Sequence, residues 1–251
     1  MNFRYCTGAT VTRILHALLS ARWLPLCRAV PVGWCWAYDV QRFAGTRDLP
    51  VLVDAGANIG QTTRLLAKYF PGSAIHSFEP VQATWRKLKL TTSHIPNVRC
   101  VQSALGKVPG SMTIALRENS ETNTLVSPKE DTAAPNVMNE TIELDTLDHY
   151  CHGHGIESID VLKLDVQGYE MEVLKGSSAL LAKHRISFVY TEVSFNPDDA
   201  EMQDFSALHL FLLGQGFKLC GFYEPFRWGE ARRFLGFCNA LYICPEALAG
   251  K

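Results

Sequence analysis

Asp54-Ala55-Gly56-Ala57-Asn58-Ile59-Gly60 follows a short apolar burst, Val51–Val53, and leads into a helical pattern. A carboxylate, two glycines and an asparagine in that order make a turn able to close on a ligand. Glycine permits positive φ and a close approach of backbone, and asparagine tolerates left-handed geometry better than most residues. Nineteen residues after Gly60, a second apolar run ends at Glu79, where an acid that holds ribose hydroxyls belongs. Ligands of open α/β sheets sit beyond the carboxyl ends of the strands, at the switch point. These residues therefore describe a nucleotide-cofactor pocket at the mouth of a parallel sheet. A ligand-free strand-to-helix turn would explain the glycines but would leave Asp54 and Glu79 without a role.

The spacing also discriminates between cofactors. Dinucleotide binding uses Gly-x-Gly-x-x-Gly, so that a pyrophosphate can rest on the helix N-terminus. Here position 58 is Asn, and the middle glycine is missing. Asp54 would repel a pyrophosphate but suits the ammonium or sulfonium of S-adenosylmethionine. A methyltransferase follows as the first reading. Two rivals stand beside it: an NAD-dependent oxidoreductase on the same fold, disfavoured by position 58, and a non-catalytic protein that kept the pocket but lost turnover.

A second acidic cluster is Asp160-Val161-Leu162-Lys163-Leu164-Asp165-Val166-Gln167-Gly168-Tyr169-Glu170. Parallel strands end on one edge, so Asp165 emerges at the same rim as Asp54 and Glu79. It can serve there as substrate ligand, general base or metal ligand. Glu192 ends the next apolar run and can face the same cleft, or it is a solvated strand end. Glu170 has a plain reading as an acid in the first turn of a helix. His94 is a further but weaker candidate base. Cys151-His152-Gly153-His154 invites a metal reading, but with no second ligand pair it reads as a polar loop. His76 lies in an apolar strand and reads as structural.

The elements that must carry these residues alternate. Strands are expected at Val51–Val53, Ala74–Phe78, Val98–Val101, Ile159–Leu164 and Ile186–Val193, with helices over residues 62–70, 83–92, 169–183 and 205–213. Such alternation predicts an α/β fold with a mostly parallel central sheet and helices on both faces. Phe217–Tyr223 and Leu235–Ile243 lack an intervening helix and predict an antiparallel strand pair at the C-terminal end. Residues 106–145 break the rhythm: 111–116 alternate like an exposed strand, 117–139 are polar, and the whole reads as a surface excursion over the active site.

Residues 1–48 read as a helical, aromatic-rich cap split by Pro25 and Pro31, ahead of one cofactor-binding domain over 49–251. Within that cap Ile14–Leu26 is apolar but interrupted by Arg22, short of a span, and without a convincing cleavage site. It reads as a capping helix, with an amphipathic helix on a membrane surface as the alternative.

The chain has 251 residues, is 47% hydrophobic and 20% charged, and carries a formal charge of −1. That balance predicts no nucleic-acid partner, since the basic cluster Arg227, Arg232 and Arg233 is small. Eight cysteines with no Cys-x-x-Cys pair predict reduced thiols and a cytoplasmic protein.

Asp54–Gly60, Phe78-Glu79-Pro80, Leu144-Asp145-Thr146-Leu147 and Leu162–Gly176, in that order, resemble the FkbM-type methyltransferases over roughly residues 34–244. The resemblance implies a class I, Rossmann-like, S-adenosylmethionine-dependent O-methyltransferase acting on hydroxyls of sugars, glycolipids or other natural products. Carried across by position, Asp54, Gly56, Asn58 and Gly60 surround the methionine part of the cofactor and Glu79 holds the ribose. Ser103, Ala104 and Leu105 lie near the adenine. Gln167 departs from the family's usual Glu, which weakens any mechanism needing two carboxylates at that turn. Asp165 is then the base or a metal anchor, supported by Glu192. A divalent metal is compatible with these acids but nothing in the spacing calls for one. Acceptor identity and oligomeric state are not written in these motifs.

Overall fold

The computed structural model describes residues 30–116, 138–196, 199 and 202–249. The elements run α1 (Trp36–Ala44), β1 (Val51–Ala55), α2 (Gln61–Tyr69), β2 (Ala74–Phe78), α3 (Gln82–Thr92), β3 (Val98–Val101), β4 (Ala104–Leu105), β5 (Gly110–Leu116) and β6 (Met138–Asp145). They continue with α4 (Leu147–Gly153), β7 (Ile159–Leu164), α5 (Glu170–Lys175), α6 (Ser178–Ala182), β8 (Ile186–Ser194), α7 (Phe205–Gly214), β9 (Lys218–Trp228), β10 (Phe234–Ile243) and α8 (Pro245–Ala249).

Seven strands form one sheet in the order β3-β2-β1-β7-β8-β10-β9. β1 pairs in parallel with both β2 and β7, so the winding reverses beside it. β10 inserts antiparallel between β8 and β9. This is the α/β sheet expected of a class I methyltransferase, including the antiparallel pair at the end.

Alternation along each strand feeds two cores, one per face. Leu52, Ile75, Val161, Phe188 and Tyr190 point to one side, where they meet Trp36 and Val40 of α1 and Leu66 of α2. Val53, Phe78, Leu162, Leu164 and Val189 point to the other, with Leu174, Leu181, Leu208 and Leu212. The Trp36 ring stacks on Tyr190 at 4.3 Å. Asp39 is buried and ties α1 to the far edge, accepting from the Tyr223 hydroxyl at 2.8 Å and from Gly33 N–H at 2.7 Å.

Three expectations need correction. The helix over 169–183 is two helices, α5 and α6, broken at Gly176-Ser177. A Cβ at Gly176 would stand 1.9 Å from the Gly106 carbonyl oxygen, so the chain is pinched there against another segment. The Asp148 carboxylate then takes the free Ala179 and Leu180 N–H groups that open α6. Secondly, the excursion over 106–145 is not only surface loop. β5 pairs antiparallel with β6, and β6 pairs in parallel with β4, making a separate three-stranded sheet. Residues 117–137, which fill most of the polar stretch, lie outside the described residues, as does the apolar segment 14–26. Thirdly, Cys151-His152-Gly153 is the last turn of α4, not a loop, and His154 caps it. Cys151 is buried and the His154 ring stacks on Tyr150 at 4.1 Å. Among the described residues no helix is long and apolar enough to cross a membrane.

Candidate active site

A cavity of about 500 Å³ opens beyond the carboxyl ends of β1, β2, β7 and β8, at the switch point. Its size suits a small-molecule ligand. Gly56, Asn58, Glu79, Ser103, Ala104, Leu105, Asp165 and Glu192 all line it. These come from five separate stretches of chain, and the sheet brings them together.

The turn after β1 is built as its residue types suggest. Gly56 (φ 74°), Asn58 (φ 49°) and Gly60 (φ 92°) all take the left-handed conformation. Gly56 is required for a reason the sequence does not reveal: a Cβ there would lie 1.8 Å from the Asp165 carbonyl oxygen. Backbone meets backbone at this point, β1 against β7. Gly60 sits behind the cavity and packs against Leu88 and Thr91 of α3.

Asp54 is fully buried beneath the cavity and does not line it. One oxygen pairs with Lys163 Nζ at 2.9 Å and the other accepts from the Thr63 hydroxyl at 2.7 Å. Lys163 Nζ also donates to the Gly56 carbonyl at 3.0 Å and reaches Asp165 at 3.5 Å. Burial alone would depress the Lys163 pKa, but the charges of Asp54 and Asp165 outweigh it and hold the ammonium above its ordinary value. The free negative charge expected from Asp54 is thus spent on Lys163. The carboxylates that face the cavity are Glu79, Asp165 and Glu192.

Glu79 is buried, and its two oxygens accept from Asn58 N–H at 3.1 Å and Val81 N–H at 3.0 Å. Burial pushes its pKa up to about 7 against the pull of those bonds. Asp165 accepts from the Gln167 side-chain amide at 3.0 Å. At this left-handed position (φ 53°) a glutamate would repel Asp165, so Gln167 supplies a donor where a second acid would supply a like charge. Glu192 is pushed up to about 8, by burial first and then by Asp165 and Glu170. Glu170 lies behind the turn, caps Val166 N–H at 2.9 Å and leaves its buried Oε2 with no hydrogen-bond partner among the described residues. Burial pushes its pKa up to about 7.

The remaining lining joins polar Gln61 and Thr62 to an apolar set that includes Phe78, Val81, Leu105, Ile114, Met202 and Phe237. Phe226 stacks on Phe237 at 4.6 Å, extending an aromatic surface out of the cavity along the β9–β10 hairpin. His94 is exposed past the end of α3 and does not line the cavity. His76 is buried and bonds the Tyr150 hydroxyl at 2.8 Å, a packing role.

Residues 54–219 match the methyltransferase FkbM domain. The chain belongs to the FkbM methyltransferase family. FkbM methyltransferases take their methyl group from S-adenosylmethionine, and the cavity, with three carboxylates and an apolar wall, fits that cationic ligand. Curated relatives include methyltransferase sdnD of Sordaria araneosa, 30% identical over 55% of this chain and 63% of that protein. Another is 2-O-methyltransferase NoeI of Sinorhizobium fredii, 27% identical over 58% of this chain and 63% of that one. The chain spans about three-fifths of the length of the curated relatives it matches. Among solved structures, an rRNA methylase from Streptococcus thermophilus aligns over 82% of this chain and 92% of its own, at 15% identity and a TM-score of 0.45.

Three contributors to the FkbM site escaped the reading of the sequence. Lys163 carried a signal, being a cation in the buried strand Ile159–Leu164, whose other charged residue is Asp160. Phe237 and Met202 carried none, because they reach the cavity only through the sheet order and a loop.

Proposed function

We propose that this enzyme transfers the methyl group to a hydroxyl, with a sugar-type acceptor. The observation that carries this reading is the pair Asp165 and Glu192, two carboxyl groups in different electrostatic settings facing one cavity. A protonated hydroxyl is a weak nucleophile and gains from a positioned base. When bound, S-adenosylmethionine supplies an electrophilic methyl group on a cationic sulfur. Asp165, steadied by Lys163 and Gln167, accepts the hydrogen bond of the acceptor hydroxyl, fixes its direction and takes its proton as the oxygen attacks the methyl group. Glu192, with a pKa raised to about 8, faces the same cavity as the group to which that proton can then pass, since a base works best with a pKa near the operating pH. Phe237 and Phe226 offer an aromatic face on which an acceptor ring can stack. The printed name of NoeI, a 2-O-methyltransferase, supports oxygen as the target. The test is a screen of mono- and disaccharides with methyl-labelled cofactor, followed by analysis of the product linkage. A methyl ether supports the reading; methyl-amine or methyl-ester products overturn it.

In the same reading Glu79 binds the ribose hydroxyls, with Gly56 and Asn58 at the methionine part and Ser103, Ala104 and Leu105 at the adenine. Glu79→Gln is expected to weaken cofactor binding at least about tenfold, ~1.4 kcal/mol. Because the ionised carboxylate is the better acceptor, affinity in the parent protein should rise as pH increases through about 7. The Gln variant should lose that dependence. Calorimetric titration between pH 6 and 8 checks both, and an unchanged slope in Glu79→Gln would remove Glu79 from the ribose site.

A further inference from the structure

His184, Cys244 and Glu246 meet at the rim of the sheet opposite the cavity. His184 precedes β8, while Cys244 and Glu246 follow β10 and open α8. One ligand atom from each lies within 4.8 Å of the others. Cys244 Sγ is 3.6 Å from His184 Nδ1 and 3.7 Å from Glu246 Oε2. A tetrahedral zinc ion with bonds of about 2.3 Å to sulfur and about 2.0–2.2 Å to nitrogen and oxygen sets its ligand atoms about 3.5–3.6 Å apart. The two sulfur edges of this triangle therefore have the dimensions of a zinc face.

The surroundings agree with that geometry. Cys244 is buried at the base, with His184 and Glu246 exposed above it, leaving the fourth position open to water. Gly216 floors the cluster, where an added Cβ would stand 3.5 Å from His184 Cε1 and 3.6 Å from Glu246 Oε2. His184 itself occupies a left-handed position (φ 51°) at the end of α6. Glycine or asparagine most often fills such a place at a helix end, and histidine is among the residues that tolerate it.

We propose that His184, Cys244 and Glu246 bind one divalent ion of the zinc class, separate from the methyl-transfer site. Imidazole, thiolate and carboxylate form a borderline-soft set that suits zinc or cobalt over magnesium or calcium. The ion clips the end of β10 to the turn before β8. It acts on the stability of the sheet edge rather than on the reaction.

The test is titration of the metal-free full chain with Co²⁺. One equivalent should give a thiolate-to-cobalt charge-transfer band with tetrahedral d–d absorption, and Zn²⁺ should displace it. Cys244→Ser should abolish the thiolate band. His184→Asn keeps a residue that tolerates the left-handed backbone, and it should weaken Co²⁺ binding at least about tenfold, ~1.4 kcal/mol. Glu246→Gln should do likewise. Zn²⁺ should raise the melting temperature of the parent protein and not of His184→Asn. No thiolate band, a band that survives Cys244→Ser, or equal affinity in His184→Asn would each overturn the site. The plain alternative, a thiol hydrogen-bonded to Glu246, predicts the first of these results.

Discussion

Lys163→Met is expected to lower the unfolding free energy by about 3–5 kcal/mol, the usual cost of leaving one partner of a buried ion pair alone. Asp54 is fully buried, and among the described residues its carboxylate otherwise accepts from the Thr63 hydroxyl. Methionine fills nearly the volume of the lysine stem, so packing changes little and the loss is electrostatic. The Asp54→Asn/Lys163→Met double variant should recover a substantial part, because it removes the orphaned charge along with its counter-ion; the difference from additivity measures the pair. Urea unfolding followed by circular dichroism reads both. A loss under about 1 kcal/mol in Lys163→Met would mean that the pair is solvated, as exposed ion pairs are, and that Lys163 does not hold the cavity floor.

Asp165→Asn is the second large effect. Transfer to any acceptor that the parent enzyme methylates should fall by about 10²–10⁴-fold, the range over which a positioned acid–base group contributes. Cofactor affinity should stay within about threefold, since Asn retains the shape of the side chain and Lys163 keeps Asp54. Single-turnover transfer from labelled cofactor, beside calorimetric binding, separates the two quantities. Activity above about a tenth of the parent value would take Asp165 out of the chemistry and leave Glu192 as the group to pursue.

The contrast between those two acids marks where the sequence speaks and where it falls silent. The apolar runs ending at Asp54, Glu79, Asp165 and Glu192 are strands, and all four ends share a rim because parallel strands must. Rim position is therefore legible. Whether a charge on that rim is free is not, because it depends on which cation a neighbouring strand delivers. Lys163 sits two residues from Asp165 and over a hundred from Asp54, yet the parallel register of β1 and β7 sets it directly beside Asp54. The Gly176 break failed for a similar reason: one glycine inside a strong apolar period costs little locally, and only the Gly106 carbonyl pressing against it ends the helix. β6 was missed because Asn139-Glu140-Thr141-Ile142-Glu143-Leu144 offers only Ile142 and Leu144 to a core. Its other face stays polar.

The placing of β10 has a consequence for how this chain comes into being. β8 and β9 are both synthesised before the strand that separates them. Until residues 234–243 have emerged from the ribosome, the growing sheet carries a long apolar edge at Ile186–Ser194 with nothing to pair it. Unpaired edges of that kind recruit foreign strands. The nascent chain is most exposed to aggregation in that interval.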